Sequence, residues 1–406
     1  MTVEAELSEL FRAERGRIVA TLIRLTGDWD LAEECVQDAF ARALECWPRE
    51  GVPRRPGAWL TTTARNRALD RLRRSSVEAA KLREVVAASG GSPEEVDGDD
   101  IGDDLLRLVF TCCHPALTLE ARVALTLRTV AGLTTAEIAR AFLVPEATMA
   151  KRLVRARQKI RNARIPYRVP PAHLLPERTG GVLGVLYLLF NEGYAASGGA
   201  DLLRRNLCVE AIRLARTLVA LMPDEPEAVG LLALTLLQDS RRDARFDHAG
   251  DLVPLDEQDR SRWDGGQVEE GVALLDSALR RGRPGPYQVQ AAIAACHATA
   301  ARADDTDWPQ IALLYGELAK LVPSPVVRLN RAVAVAMADG PAAGLALVDD
   351  LADEVTGHLL PATRADLLRR LGRTTEALAA CERALALAPT DAERRHLTRQ
   401  ISALRG

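Results

Sequence analysis

GLTTAEIARAFLVPEATMAKRLVRARQKIR, Gly132 to Arg161, reads as two helices joined by one tight turn, and the rest of the chain is best understood outward from it. Thr134 and Glu137 stand at capping-box spacing, where each side chain accepts from the other's backbone N–H at the start of a helix. On that first helix Ile138, Ala139 and Phe142 share a face. Pro145 has no N–H with which to continue a helical ladder, so the chain restarts there. In the second helix Met149, Leu153, Ala156 and Ile160 recur at intervals of four, three and four. That inward stripe leaves Lys151, Arg152, Arg155 and Lys159 outside. The pattern is that of a helix-turn-helix, whose second helix suits a major groove.

From Glu120 to Arg168 there are eleven Lys/Arg against three Asp/Glu, although the whole chain carries a formal charge of -3. The positive charge is therefore local, which points to phosphate contacts. A solvated charged helix would carry similar residues, but the cap, the turn and the stripe occur here together and favour the groove.

The 406 residues are 48% hydrophobic, enough to bury large cores and to form two to four domains. Aromatics make up 4% and β-branched runs are scarce, so an all-α protein is expected, without strands. The longest apolar run, Val182 to Phe190, is far shorter than the roughly 20 residues that span a bilayer. The start, MTVEAELSEL, is acidic and unlike a signal peptide, so no membrane association and a cytoplasmic location are expected. Seven cysteines stand singly apart from Cys112-Cys113, which suggests buried thiols in a reducing compartment and no disulfides. Cys112, Cys113 and His114 are soft-ligand types, but adjacent side chains diverge on a helix and no second pair follows, so no metal is expected. No Gly-rich phosphate loop, Ser-centred nucleophile motif or HExxH occurs, and neither a catalytic residue nor a cofactor is assigned.

Residues 1–75 read as a compact helical unit in which Asp30-x-x-Glu33 is expected to cap a helix running towards Trp47 and Pro48. The loop WPREGVPRRPGAWL leads to a further helix from about Ala58 to Arg74. Between Glu78 and Asp104 nine acidic residues face two basic ones, so 76–104 reads as a solvated acidic linker. Asp99, Asp100, Asp103 and Asp104 fit a flexible tether better than a metal site. Residues 105–168 hold the helix-turn-helix. IPYRVPPAHLLP then interrupts helix, and a last region spans 180–406.

That last region looks repetitive. Ala377, Cys381, Ala384 and Pro389 recur at spacings four, three and five, as do Ala211, Ala215, Leu218, Pro223 and Ile311, Tyr315, Leu318, Pro323. Small residues at close helix crossings followed by a terminating Pro suit stacked helical hairpins, similar to the second helix of tetratricopeptide repeats. The intervals are irregular, so a repeat-like array is expected and not regular repeats.

With both N-terminal modules in view, about the first 165 residues resemble a sigma-70 family factor of the extracytoplasmic-function type, which keeps only the domains called sigma2 and sigma4. DLAEECVQDAFARALECW resembles the polymerase-binding helix, WLTTTARNRALDRLRR the helix that meets the -10 element, and the helix-turn-helix the reader of the -35 element. Core RNA polymerase and promoter DNA are the partners this implies. By motif, Gln37 and Asp38 take the place that grips the polymerase clamp helices. Asn66 takes the place that helps hold an unstacked -10 base, for which a ready pocket lowers the cost of extrusion. Arg54, Arg55, Arg65, Arg73 and Arg74 would hold phosphates of the opening strand, while Trp59 packs in the core or stacks at the fork, the core being favoured. At the -35 module Lys151, Arg152 and Arg155 are implied contacts, with Thr148 near the helix start. Leu143 stands where many members have Gly, and VPEATMAKRL replaces the commoner VPEGTVKSRL, which implies a slightly altered turn angle.

The remaining chain resembles the subgroup of these factors with a tetratricopeptide-like extension, through LYLLFNEGYAAS, LVPLDEQDRSRWD and GPYQVQAAIAACHA. That resemblance implies a small DGPF-motif protein as a partner and the repeats as a regulator in cis. Asn191, Glu192, Tyr194, Asp256, Asp259, Arg260, Arg262 and Trp263 stand out as polar surface candidates, although capping and inter-repeat salt bridges account for them equally. The competing function is an operator-binding helix-turn-helix regulator with a repeat sensor, against which the ARNRALDRLRR helix speaks.

Overall fold

The computed structural model describes residues 3–74, 98–142, 144–194, 202–247, 253–351, 354–355, 357–388 and 391–405. Glu78 to Asp97 of the expected linker, Leu143 and Pro389 lie outside the described residues. The chain forms two compact units, Met1–Leu189 and Phe190–Gly406. Among the described residues the fold is helical, with Phe246 the lone bridge position. Among the described residues no helix is long and apolar enough to cross a membrane.

In the first unit α1 (Val3–Thr26), α2 (Trp29–Glu50) and α3 (Pro56–Arg74) pack on one another. Helix α2 buries Ala32, Val36, Ala39, Phe40, Ala43 and Trp47, and α3 buries Leu60, Ala64, Ala68 and Leu72 at every fourth position. These intervals keep one stripe of each helix inward. The N-cap of α2 is Asp28, which accepts from the N–H groups of Asp30 and Leu31 at 2.9 and 3.1 Å. The expected Asp30-x-x-Glu33 cap is thus corrected: Asp30 already lies inside the first turn, and Glu33 is 6% exposed.

Helix α4 (Gly98–Cys112) packs on α1, and its Asp104 is 0% exposed. The expectation that Asp104 belongs to a solvated tether fails, because Arg24 Nε at 2.8 Å and Arg107 at 2.8 Å hold its carboxylate inside. Acidic composition across the stretch concealed a residue whose charge is matched by Arg107 one turn on and by Arg24 far away in sequence. Tyr167 donates its hydroxyl to the Ala20 carbonyl at 2.8 Å and so fastens the segment after the basic helix to α1.

Helix α5 (Leu119–Leu125), capped by Thr118, runs into a five-residue π turn, Thr126–Val130. Gly132, at φ +81, ends it in a left-handed conformation that costs glycine little. The π turn meets α1 at Gly16, where an added Cβ would lie 2.6 Å from the Val130 carbonyl oxygen. Helices α6 (Thr135–Ala141) and α7 (Glu146–Asn162) complete the helix-turn-helix. The capping box forms as expected, with Glu137 accepting from Thr134 N–H at 2.7 Å and Thr134 Oγ from Glu137 N–H at 3.2 Å. Met149, Leu153, Ala156 and Ile160 are buried. Helix α8 (Leu175–Tyr194) runs through Gly180, and Arg178 donates to the Phe110 carbonyl at 2.7 Å.

The second unit follows as α9 (Leu202–Leu221), α10 (Pro226–Asp239), α11 (Gly265–Leu279), α12 (Pro286–Ala298), α13 (Trp308–Leu321), α14 (Pro325–Asp339), α15 (Pro341–Asp349), α16 (Leu359–Arg370), α17 (Thr374–Leu387) and α18 (Asp391–Arg405). Helix α10 is apolar all round and is enclosed by α9, α11 and α12, as a helix without a polar face must be. Its Glu227 accepts from the N–H groups of Tyr287 and Gln288 at 2.9 and 3.1 Å, capping α12 from a neighbouring helix. Farther along, Leu345, Leu368, Ala377 and Cys381 join one core.

Gly16→Val is expected to destabilise the first unit by about 1–3 kcal/mol, the usual cost of overpacking a closed contact. Chemical denaturation checks this: the midpoint of the N-terminal transition falls, whereas an unchanged midpoint denies the tight α1 contact.

Candidate nucleic-acid interface

Helix α7 divides its basic residues between two faces. Thr148, Lys151, Arg152, Arg155 and Lys159 line a groove of about 640 Å³ whose other wall is the start of α5. Among the described residues none of these four cations forms a salt bridge, so their charge is free to meet an anion. Glu120 stands in the same groove. Hydrogen bonds from its own backbone N–H and from the Thr118 hydroxyl, with Arg152 adding to them, hold its carboxyl below the usual range. In the sequence the only signal for Glu120 is its place two residues after the capping Thr118.

Arg157, on the same helix, turns inward. It binds Glu33 at 2.7 Å and also engages Asp30. Glu33 receives Arg128 at 3.2 Å and Arg15 at 3.8 Å as well, so one buried carboxylate collects cations from α1, the π turn and α7. Arg15 is 2% exposed and donates to the carbonyls of Arg128 and Thr129 at 3.0 and 3.1 Å. Burial lowers its pKa to about 10, with Glu33 opposing that fall and Arg128 and Arg157 adding to it. No sequence interval relates these residues, so only the fold could bring them together.

On α3, Trp59, Asn66 and Arg73 follow one another at seven-residue intervals and so share one stripe. Asn66 and Arg73 are exposed, and Arg65 is half-buried. Arg54 and Arg55 are exposed in the segment before the helix. The side chain of Arg74 lies outside the described residues. Trp59 is half-buried and meets Trp47 edge-on, ring centroids 5.4 Å apart. This is a supporting contact that leaves part of the indole open. Gln37 is exposed on α2, while Asp38 accepts from Arg71 of α3 at 3.0 Å. Arg71 also engages Glu34, so α2 and α3 are joined beside Gln37.

Cys112 and Cys113 are buried, and burial pushes both thiols up, Cys113 to about 11. Cys113 Sγ lies 3.5 Å from Thr126 Oγ1, which makes the pair part of the core.

Residues 10–77 match the family model of sigma-70 region 2, and residues 107–160 that of sigma-70 region 4. Residues 178–279 match DUF6596, a family of unknown function. An uncharacterized protein of Rhizobium meliloti is 46% identical over 96% of this chain and 94% of its own length. The ECF RNA polymerase sigma factor SigL of Mycobacterium tuberculosis is 34% identical over 32% of this chain and 73% of its own length. The probable ECF RNA polymerase sigma factor SigI of the same species is 30% identical over 42% of this chain and 60% of its own length.

Glu33→Gln leaves Arg15, Arg128 and Arg157 facing a neutral amide, and breaking a buried ion pair costs about 3–5 kcal/mol. The thermal transition of the N-terminal unit is expected to drop accordingly in calorimetry. A variant as stable as the wild type would deny the cluster its structural role.

Proposed function

The chain belongs to the family of ECF RNA polymerase sigma factors, and from that premise we propose how its surfaces divide the work. Its sigma2 and sigma4 domains bind core RNA polymerase and promoter DNA, and the chain performs no chemistry itself. In the proposed reading, Thr148, Lys151, Arg152 and Arg155 contact the -35 duplex. The observation that carries this is the groove on α7, where those side chains converge and where, among the described residues, Lys151, Arg152 and Arg155 form no salt bridge. Phosphate contacts there fix the register, and contacts to base edges select the sequence.

Asn66 and Trp59, on one helical stripe, serve the melted -10 strand, with Arg54, Arg55, Arg65, Arg73 and Arg74 on its phosphates. Exposed Asn66 is placed to meet an extruded base, and the open part of Trp59 to stack beside it. Gln37, with Asp38 held by Arg71, forms the polymerase-facing patch of α2. The work is done in the cytoplasm, where polymerase and promoter meet.

The C-terminal helices act as a tetratricopeptide-like regulatory domain in cis, with a small DGPF-motif protein as partner. Buried Ala211, Ala215 and Leu218, buried Ile311 and Leu318, and buried Ala377, Cys381 and Ala384 support the repeat-like reading, since the recurring positions are those that pack. The operator-binding alternative is set aside, because it assigns no task to a region 2 domain.

Run-off transcription with purified core polymerase is expected to give a promoter-dependent product only when this chain is added. No such product after a broad promoter search would refute the assignment. Replacing Lys151, Arg152 or Arg155 by Ala should weaken binding to the -35 duplex, and each lost phosphate contact should reduce the salt slope by about 1. Slopes unchanged in all three variants would move the interface elsewhere. The full chain and a chain ending at Tyr194 should differ in transcript yield, and equal yields would refute regulation in cis.

A further inference from the structure

The end of α10 gathers three guanidiniums, Arg241, Arg245 and Arg260, where the turns Arg242–Ala244 and Arg260–Arg262 meet. Arg245 lies 3.7 Å from the centroid of the Tyr194 ring and donates to the Tyr194 carbonyl. Arg241 donates to Gln238 Oε1 at 2.7 Å, an oxygen that also accepts from the Tyr194 hydroxyl at 3.1 Å. Arg260 sits over the Trp263 ring at 4.6 Å and donates to the carbonyls of His297 and Ala300.

These partners are neutral. Among the described residues none of the three arginines forms a salt bridge, whereas neighbouring Arg242 is bonded to Asp239 and Arg216 to Glu270. The carboxylates that act on the cluster from a distance are already engaged, Asp239 by Arg242 and Asp305 by Arg302 at 3.1 Å. The arginines also oppose one another. Burial lowers the pKa of Arg245 and of Arg260, and Arg241 lowers both further. Burial, then Arg241 and Arg260, hold His297 near 4, so it adds no charge at neutral pH.

Among the described residues, Arg241 Nε and Trp263 Nε1 are buried N–H donors without an acceptor. Repelling cations and unused donors thus meet in one place, and an acceptor-only group of high negative charge answers both needs. A tetrahedral dianion offers acceptors in more directions than a planar carboxylate, which suits donors converging from two turns and a helix end.

We propose that Arg241, Arg245, Arg260 and the Trp263 indole N–H form a binding site for a small phosphate-bearing anion in the domain of unknown function. The site does not depend on the assignment of the N-terminal domains, because binding is measured on the chain alone.

The test is titration of the full chain with inorganic phosphate, chloride being adjusted to hold ionic strength constant. Calorimetry, thermal melting and tryptophan fluorescence report the response. Saturable binding is expected, with a rise in Tm and a change in fluorescence that Trp263→Phe removes. Arg241→Gln and Arg260→Gln should each weaken binding at least tenfold, while Arg216→Gln, whose guanidinium is already paired, binds as the wild type does. No saturable response in the wild type overturns the proposal. So does phosphate binding that survives both Arg241→Gln and Arg260→Gln, since it would then reside at another basic surface. If those variants do not fold, the Trp263→Phe comparison decides: a fluorescence change of wild-type size in that variant overturns the site. Binding of an acidic peptide but not of phosphate also overturns it.

Discussion

One buried carboxylate, Glu33, joins the helices of the first unit. Arg15 from α1, Arg128 from the π turn and Arg157 from α7 all reach it, although nearly a hundred residues or more separate Glu33 from the last two. Removing four charged groups from water is expensive, and their mutual attraction offsets that cost only where geometry and additional hydrogen bonds are good. Those conditions are met by the carbonyls of Arg128 and Thr129, which accept from Arg15, and by Asp30, which shares Arg157. Asp104 repeats the arrangement on a smaller scale, with Arg24 and Arg107 around a carboxylate that is wholly buried.

Because Arg157 belongs to the helix that carries the basic groove, the cluster also orients that helix. Its inward stripe of Met149, Leu153, Ala156 and Ile160 supplies apolar contact, and Arg157 fixes its rotation from one side. Lys151, Arg152, Arg155 and Lys159 then fall on the open groove. Net charge summed along the helix therefore overstates the surface offered to DNA, since one of its arginines is spent inside the protein.

The second unit solves the same problem of burial differently. Apolar α10 is enclosed by its neighbours, and Glu227 meets the N–H groups at the start of α12, with no cationic partner among the described residues. Arg245 and Arg260 rest on aromatic rings and backbone carbonyls, contacts that orient a guanidinium without neutralising it. The buried arginines around Glu33 are thus matched by a carboxylate, whereas among the described residues those at the end of α10 are not.

Sequence alone determined the helical class, the helix-turn-helix with its cap and its inward stripe, and the outward placing of Lys151, Arg152 and Arg155. Those features depend on local backbone hydrogen bonding and on the 3.6-residue period, both visible within a few turns. Asp28 and Asp30 both suit an N-terminus, and only backbone dihedrals single out Asp28 as the cap. Asp104 is hidden in a run of acidic residues, and Glu33 stands at the spacing of a capping residue. The partners that decide them, Arg24 for Asp104, Arg128 and Arg157 for Glu33, and the His297 and Ala300 carbonyls for Arg260, come from distant parts of the chain. Tertiary structure alone decided these matters, because whether a charge is solvated, paired or stranded depends on which helices pack around it.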